Sequence, residues 1–189
     1  MKMKAMMNKV FAAVAALVVA ASVATAAPAE QPGQRVAYEQ LAKQVRKELV
    51  TLPWYGVFDN LEYSIDGSTV TLSGQVVQPS TRKDAERRVR KLAGVSRVVN
   101  NIEVLPLSPF DDSIRANTYR ALFGWNSPLF RYGQGVNPSI HIVVDGGHVT
   151  LEGVVSTEGD RQLAFMRVNS VPGVFSVTNN LRTERGRAR

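Results

Sequence analysis

Residues 65–102 repeat at 144–181 without a gap, a shift of 79. Sixteen of the 38 aligned positions are identical, including Asp66/Asp145, Gly67/Gly146, Val70/Val149, Leu72/Leu151, Gly74/Gly153, Arg82/Arg161, Ala85/Ala164, Gly94/Gly173, Asn100/Asn179 and Asn101/Asn180. The shared residues are turn and core types, so the duplication is one of structure. A chain of 189 residues with this pattern reads as two copies of one small domain. We place copy one at 34–105, a linker at 106–110, copy two at 111–182 and a basic tail at 183–189. A unit of roughly 60–75 residues has a marginal core by size, which predicts that the copies pack together.

Both copies have the same element order. An apolar stripe of Leu41, Val45 and Leu49 predicts a helix from Tyr38 to Leu49. Ile114, Thr118 and Leu122 do the same from Asp112 to Phe123, with Asp111 or Asp112 as its cap. Two alternating runs follow, Leu61/Tyr63/Ile65 with Val70/Leu72, and Ile140/Ile142/Val144 with Val149/Leu151. Asp66-Gly67-Ser68-Thr69 and Asp145-Gly146-Gly147-His148 read as hairpin turns. With Gly146-Gly147 central, Val144 opposes Val149 and Ile142 opposes Leu151, so one face is apolar and the other, with Ser64, Thr71 and Ser73, is expected to be wet. A second helix (Ser80 to Ala93, Gly159 to Val171) ends before Gly94 or Gly173, and a last strand carries Val98 or Val177. The predicted fold class is α+β: two αββαβ copies, each a three-stranded mixed sheet with two helices on one face.

The N-terminus has a different character. Lys2, Lys4 and Lys9 precede an apolar run from Val10 to Ala21, and Ala24-Thr25-Ala26 supplies small residues at a cleavage position. This is the secretory signal pattern over residues 1–26, and it predicts export to the periplasm with no transmembrane segment after cleavage. The signal also accounts for much of the net charge of +7. Without its three lysines, 20 basic residues face 16 acidic ones, and the last eight residues add four arginines against Glu184. The folded body is near neutral, which argues against nucleic acid as a partner.

Val-Thr-Leu-Ser-Gly-Gln-Val (70–76) with Arg82, Ala85, Gly94-Val95, Val98 and Asn100-Asn101 resembles the BON domain. Val-Thr-Leu-Glu-Gly-Val-Val (149–155) with Arg161, Ala164, Gly173-Val174, Val177 and Asn179-Asn180 resembles it again. That family, named for bacterial osmotically induced periplasmic and nodulation proteins, implies an αββαβ fold and an envelope location. It also implies attachment to phospholipid membranes or envelope proteins, without catalysis. The chain departs from lipid-anchored members in having no cysteine to acylate.

The residues themselves supply little chemistry. Absence of cysteine removes thiol nucleophiles, thiolate metal sites and disulfides. No GxSxG, HExxH, P-loop or GxGxxG is present, and Gly133-Gln134-Gly135 reads as a flexible loop. His141 and His148 are replaced in copy one by Glu62 and Thr69, so they read as exposed strand residues. Asn100-Asn101 and Asn179-Asn180 read as turn hydrogen-bonders. No catalytic residue, cofactor or metal site is expected.

Function is expected where the copies diverge. The second helix of copy one has a charged face of net +4 over Arg82–Lys91. In copy two, Leu163 and Met166 replace Asp84 and Arg87 roughly opposite the core stripe, and Phe165 replaces Glu86 on the flank beside Arg167. Aromatic loops follow each first helix, with Trp54 and Tyr55 in one and Trp125 and Phe130 in the other. They suit a membrane interface or the plugging of a small core. These eight residues, Leu163, Phe165, Met166, Arg167, Trp54, Tyr55, Trp125 and Phe130, are the candidate lipid- or partner-binding set. The expected role is a non-catalytic binding module that associates reversibly with anionic phospholipid. The alternative is a protein-interaction or chaperone-like module of the envelope stress response.

Overall fold

A computed structural model describes residues 32–135 and 137–184. The signal pattern at 1–26 and the arginines at 185, 187 and 189 lie outside the described residues. Copy one runs α1 (Pro32–Val50), β1 (Asn60–Asp66), β2 (Thr69–Val76), α2 (Pro79–Val89), β3 (Arg97–Asn100) and β4 (Glu103–Val104). Copy two runs α3 (Pro109–Phe123), a 3-10 turn at Phe130–Gly133, β5 (Ile140–Asp145), β6 (His148–Val155), α4 (Glu158–Asn169), β7 (Ser176–Asn179) and β8 (Arg182–Thr183). The chain is α+β, two copies of one αββαβ plan, and the copies together form one compact unit.

The hairpin registers follow the apolar pattern. Tyr63 faces Leu72, Ile65 faces Val70, Ile142 faces Leu151 and Val144 faces Val149. Gly146 and Gly147 both have positive φ, 55° and 83°, as the two-residue turn that matches strand twist requires. The second and third strands are parallel, with Val70 beside Val98 and Val149 beside Val177. The third strand is interrupted at Asn101-Ile102 and Asn180-Leu181, giving β4 and β8. The interruption lies beside Gly74 and Gly153, at φ +104° and +123°, where a Cβ would stand 2.1 Å from the carbonyl oxygen of Asn60 or Ser139. The repeated glycine is therefore a close-approach position in both copies.

Asn100 and Asn179 serve that interruption. Each accepts from an amide two residues on, Ile102 or Leu181, and each donates to the first turn of its helix, at Arg82 O or Arg161 O. The turn reading holds for these two. Asn180 instead donates to Glu152, and Asn101 contributes only its backbone.

The helix α3 begins earlier than its apolar stripe implies, and neither aspartate caps it. Ser108 is the cap, accepting from Asp111 N. Asp111 is 2% exposed and reaches across to the hairpin turn, accepting from Gly146 N (3.1 Å) and Gly147 N (2.8 Å). Pro109 at the first helical position starts the helix there, since its missing N–H loses nothing. The linker shortens to the residues before Ser108. Gly133 is also not loose: a Cβ there would lie 2.6 Å from the Phe123 ring, so the 3-10 turn is packed against α3.

Each copy has its own core. Val45, Leu49, Leu72, Val76, Ala85, Val89 and Ile102 build the first, and Leu122, Ile142, Leu151, Val155, Ala164 and Val168 belong to the second. Val57 and Phe58, from copy one, pack against the core of copy two.

Candidate functional site

The loop after α1 carries out several tasks within a few residues. Leu52 is buried and Tyr55 packs on the copy-one core, while Trp54 between them is 66% exposed. Residues 56–58 then cross to copy two and lie along the free edge of β5. Ile142 N donates to Val57 O at 2.7 Å, an inter-copy backbone bond of the kind that extends a sheet. Phe58 meets Tyr119 of α3 edge to face, with ring centroids 6.3 Å apart.

His141 sits at this crossing and is not an exposed strand residue. It is half-buried, its ring 5.4 Å from that of Tyr55, with Nδ1 3.2 Å from Gly56 O and Nε2 3.4 Å from the Tyr55 hydroxyl. The expectation of a wet outer face fails here because copy one covers the edge; Val143 on the same face is buried too. Glu152 does oppose His141 across the hairpin, as the register requires. His148 is exposed and bonds Ser176 Oγ at 2.7 Å.

Asp59 completes the junction. It is 3% exposed and accepts from Gly56 N (2.9 Å) and Val77 N (2.7 Å). Burial pushes its carboxyl above the ordinary aspartate value, against the pull of those two N–H groups. Burial likewise pushes His141 below its usual value, and raises the Tyr55 hydroxyl to about 12, with the Asp59 charge adding to the latter. A tyrosine, a histidine and a carboxylate thus meet with every acceptor engaged by backbone or ring. The imidazole bonds the Gly56 carbonyl and the Tyr55 hydroxyl, and the Asp59 oxygens face amides, so the arrangement joins the two copies.

In copy two, the loop after α3 is six residues longer, so the repeat offset falls from 79 in the hairpins to 73 in the first helices. Leu129 and Tyr132 fill the core, and the Tyr132 hydroxyl accepts from Ser156 N and donates to Asp160. Trp125 stands out at 85% exposure, resting on half-buried Phe130 with centroids 5.4 Å apart.

The candidate residues on α4 divide. Met166 is 57% exposed, as its position opposite the core stripe predicts. Leu163 is half-buried against the copy-two core, contrary to expectation. It precedes Ala164 by one residue, about 100° round the helix, which places it on the flank of the core and not behind it. Phe165 is half-buried on the other flank. Arg167 donates to Ala121 O (3.1 Å) at the end of α3, as Arg88 does to Thr51 O after α1, so this conserved-by-repeat arginine ties its two helices together. Met166, Arg167, Asn117, Ala121 and Pro172 line a shallow groove of about 660 Å³ between α3 and α4. The eight candidates therefore do not form one surface. Trp54, Trp125 and Met166 are the outward ones; Tyr55 and Leu163 serve cores, and Arg167 serves packing.

Missed by the sequence reading was an aromatic cluster at the copy-two hairpin. Phe110 and Phe175, 47% and 69% exposed, meet at 5.8 Å, and His148 lies 6.0 Å from Phe175. Gly147 beneath them has no room for a Cβ, which would stand 2.6 Å from Phe175. The signal was available: Phe175 replaces Ser96 of copy one, an apolar-for-polar change like those at 163 and 166.

The BON domain family matches residues 38–106 and again 111–185, most of the chain and once per copy. The chain belongs to this family. BON domains are phospholipid-binding-type domains of envelope proteins and are generally non-catalytic. A search of curated proteins gives no significant match. Solved structures that match include CdsD, a structural protein of the type III secretion system of Chlamydia trachomatis, at 11% identity and TM-score 0.29, over 79% of this chain and 96% of that one. The C-terminal domain of CdsD matches at 10% identity and TM-score 0.28, over 76% of this chain and 96% of that one. Scores so low carry no argument about this BON protein. Among its described residues there is no helix long and apolar enough to cross a membrane, and no cluster of three or more metal-ligating side chains.

Proposed function

We propose that this BON protein is a non-catalytic envelope binding module that associates reversibly with anionic phospholipid in the periplasm. The observation that carries the reading is the outward placement of both tryptophans. In each loop a leucine enters the core, Leu52 or Leu129, while Trp54 or Trp125 is held at 66% or 85% exposure. A short loop pinned at one residue presents its neighbour with little ordering cost, which favours insertion of an indole at a headgroup boundary. Exposed Arg82 and Lys83 on α2 supply positive charge worth about 1 kcal/mol each at an anionic surface, while Arg87, Arg90 and Arg131 are each paired with a carboxylate, Asp84, Glu86 and Asp160.

Co-sedimentation of the chain lacking residues 1–26 with phosphatidylglycerol vesicles tests it. Binding is expected at low salt, weaker at 0.3 M salt and absent with phosphatidylcholine. The double variant Trp54→Ala/Trp125→Ala should lose most of it. No binding to anionic vesicles at low salt defeats the proposal. A protein-interaction role is favoured by one different observation, exposed Met166 in the α3–α4 groove, and predicts that Met166→Glu abolishes self-association or client binding while vesicle binding is absent.

A further inference from the structure

We propose that the hairpin turn of copy one, Asp66-Gly67, is a site of spontaneous aspartate isomerisation, and that Asp111 protects the same dipeptide, Asp145-Gly146, in copy two. The proposal stands on the two turns alone and is independent of the lipid reading.

The reaction needs no partner but water. Gly67 N attacks Cγ of Asp66, the amide loses its proton, the carboxyl C–O bond breaks and water leaves, giving a five-membered succinimide. Water then adds at one of the two ring carbonyls. Opening at Cγ restores aspartate. Opening at the main-chain carbonyl leaves isoaspartate, with the chain running through Cβ and no net change in mass. Glycine is the most reactive successor, because no Cβ crowds its nitrogen and its backbone turns freely.

The repeat makes the two sites a matched pair. Gly67 and Gly146 have the same turn backbone, φ +56° and +55°, and open space on all sides of a Cβ position. Both aspartates are exposed at the last pair of their hairpins, Asp66 opposite Thr69 and Asp145 opposite His148. Backbone strain and steric access therefore cancel between them.

What differs is the nitrogen that must react. Gly146 N donates to Asp111 Oδ2 at 3.1 Å and Gly147 N to Asp111 Oδ1 at 2.8 Å, so one buried carboxylate clamps both amides of the turn. Attack requires the Gly146 amide to swing towards Asp145 and give up its hydrogen. The carboxylate opposes both steps: the swing breaks a charge-assisted bond, and negative charge beside an N–H holds its proton more tightly. In copy one the offset of 73 between first helices puts Tyr38 where copy two has Asp111. Tyr38 is 51% exposed, and among the described residues Gly67 N has no hydrogen-bond partner. That turn is held one residue later, where Ser68 O accepts from Ser96 N at 2.9 Å and the two hydroxyls meet at 2.6 Å. The Gly67 amide is left free to turn, and the added backbone atom falls in the Asp66–Thr69 pair at the end of β1.

The test is peptide mapping of the full chain aged for weeks at pH 6 and 37 °C, with isoaspartate located at residues 66 and 145 by electron-transfer fragmentation. Residue 66 should convert at least about tenfold faster than residue 145, the factor that one hydrogen bond to a charged group supplies. In concentrated guanidinium chloride the two sites should convert at matching rates, since no clamp remains. Asp111→Ala, checked for its fold by circular dichroism, should raise the rate at residue 145 at least about tenfold and leave residue 66 unchanged. If that variant does not fold, the folded-to-unfolded comparison in the unaltered chain decides alone. Equal rates at the two sites in the folded chain, or no isoaspartate at residue 66, overturn the proposal. So does a preference for residue 66 that persists unchanged in denaturant, or a folded Asp111→Ala chain in which residue 145 is as slow as before.

Discussion

Replacing Asp111 with alanine gives the most direct measure of how the first helix of copy two is tied to its hairpin. The side chain is 2% exposed and holds two amides of one turn, Gly146 N at 3.1 Å and Gly147 N at 2.8 Å. Gly147 is buried, so removing the carboxylate leaves an N–H with neither partner nor water, at about 1–3 kcal/mol. Gly146 is exposed and can turn to solvent, so its bond contributes about 0.5–1.5 kcal/mol. Relief of the carboxylate's own desolvation offsets part of this, leaving a net loss of about 1–4 kcal/mol. For a unit of this size that lowers Tm by about 2–16 °C. Ser108→Ala removes the real cap and should cost only about 1 kcal/mol. Urea unfolding of the three proteins by circular dichroism, with m unchanged, gives the comparison. If Asp111→Ala costs no more than Ser108→Ala, the tie between helix and turn is not what the burial and geometry imply.

Further expectations follow from the shared positions. Gly153→Ala should cost more than about 3 kcal/mol, because its Cβ would stand 2.1 Å from Ser139 O, whereas Gly67→Ala, with positive φ but open space, should cost about 1–2 kcal/mol by thermal unfolding. Asn179→Ala removes bonds to Leu181 N and Arg161 O and should cost about 1–3 kcal/mol, while Asn180→Ala, at an exposed side chain that bonds Glu152, should stay within about 0.5 kcal/mol.

The duplication, the strand registers and the turn role of Asn100 and Asn179 were legible because each is a local rule. Val144 facing Val149 needs only a period of two and a turn of two glycines. Asp111 was not legible: an aspartate in the first turn of a helix has a standard local use, and its actual partners lie 35 and 36 residues away. His141 failed for the same reason. Its strand position predicts exposure, and only the passage of residues 56–58 along β5 covers it. Leu163 failed by angle, since a residue adjacent to the core stripe was treated as opposite it.

The two loops that follow the first helices explain why the copies are not interchangeable. In copy one the loop is short, keeps Leu52 and Tyr55 for its own core and gives Val57 and Phe58 to the other. Six more residues in copy two let the equivalent loop turn back, so that Leu129 and Tyr132 fill its own core and Ser139 N bonds Tyr132 O at 2.8 Å. A repeat array grows when each unit presents to the next what it received from the last. Copy two receives a strap along β5, and its own loop is spent on itself, so it offers none. Duplication supplied two equal frames; the longer loop made one of them an acceptor and left Trp125 at the surface with only Phe130 beneath its ring.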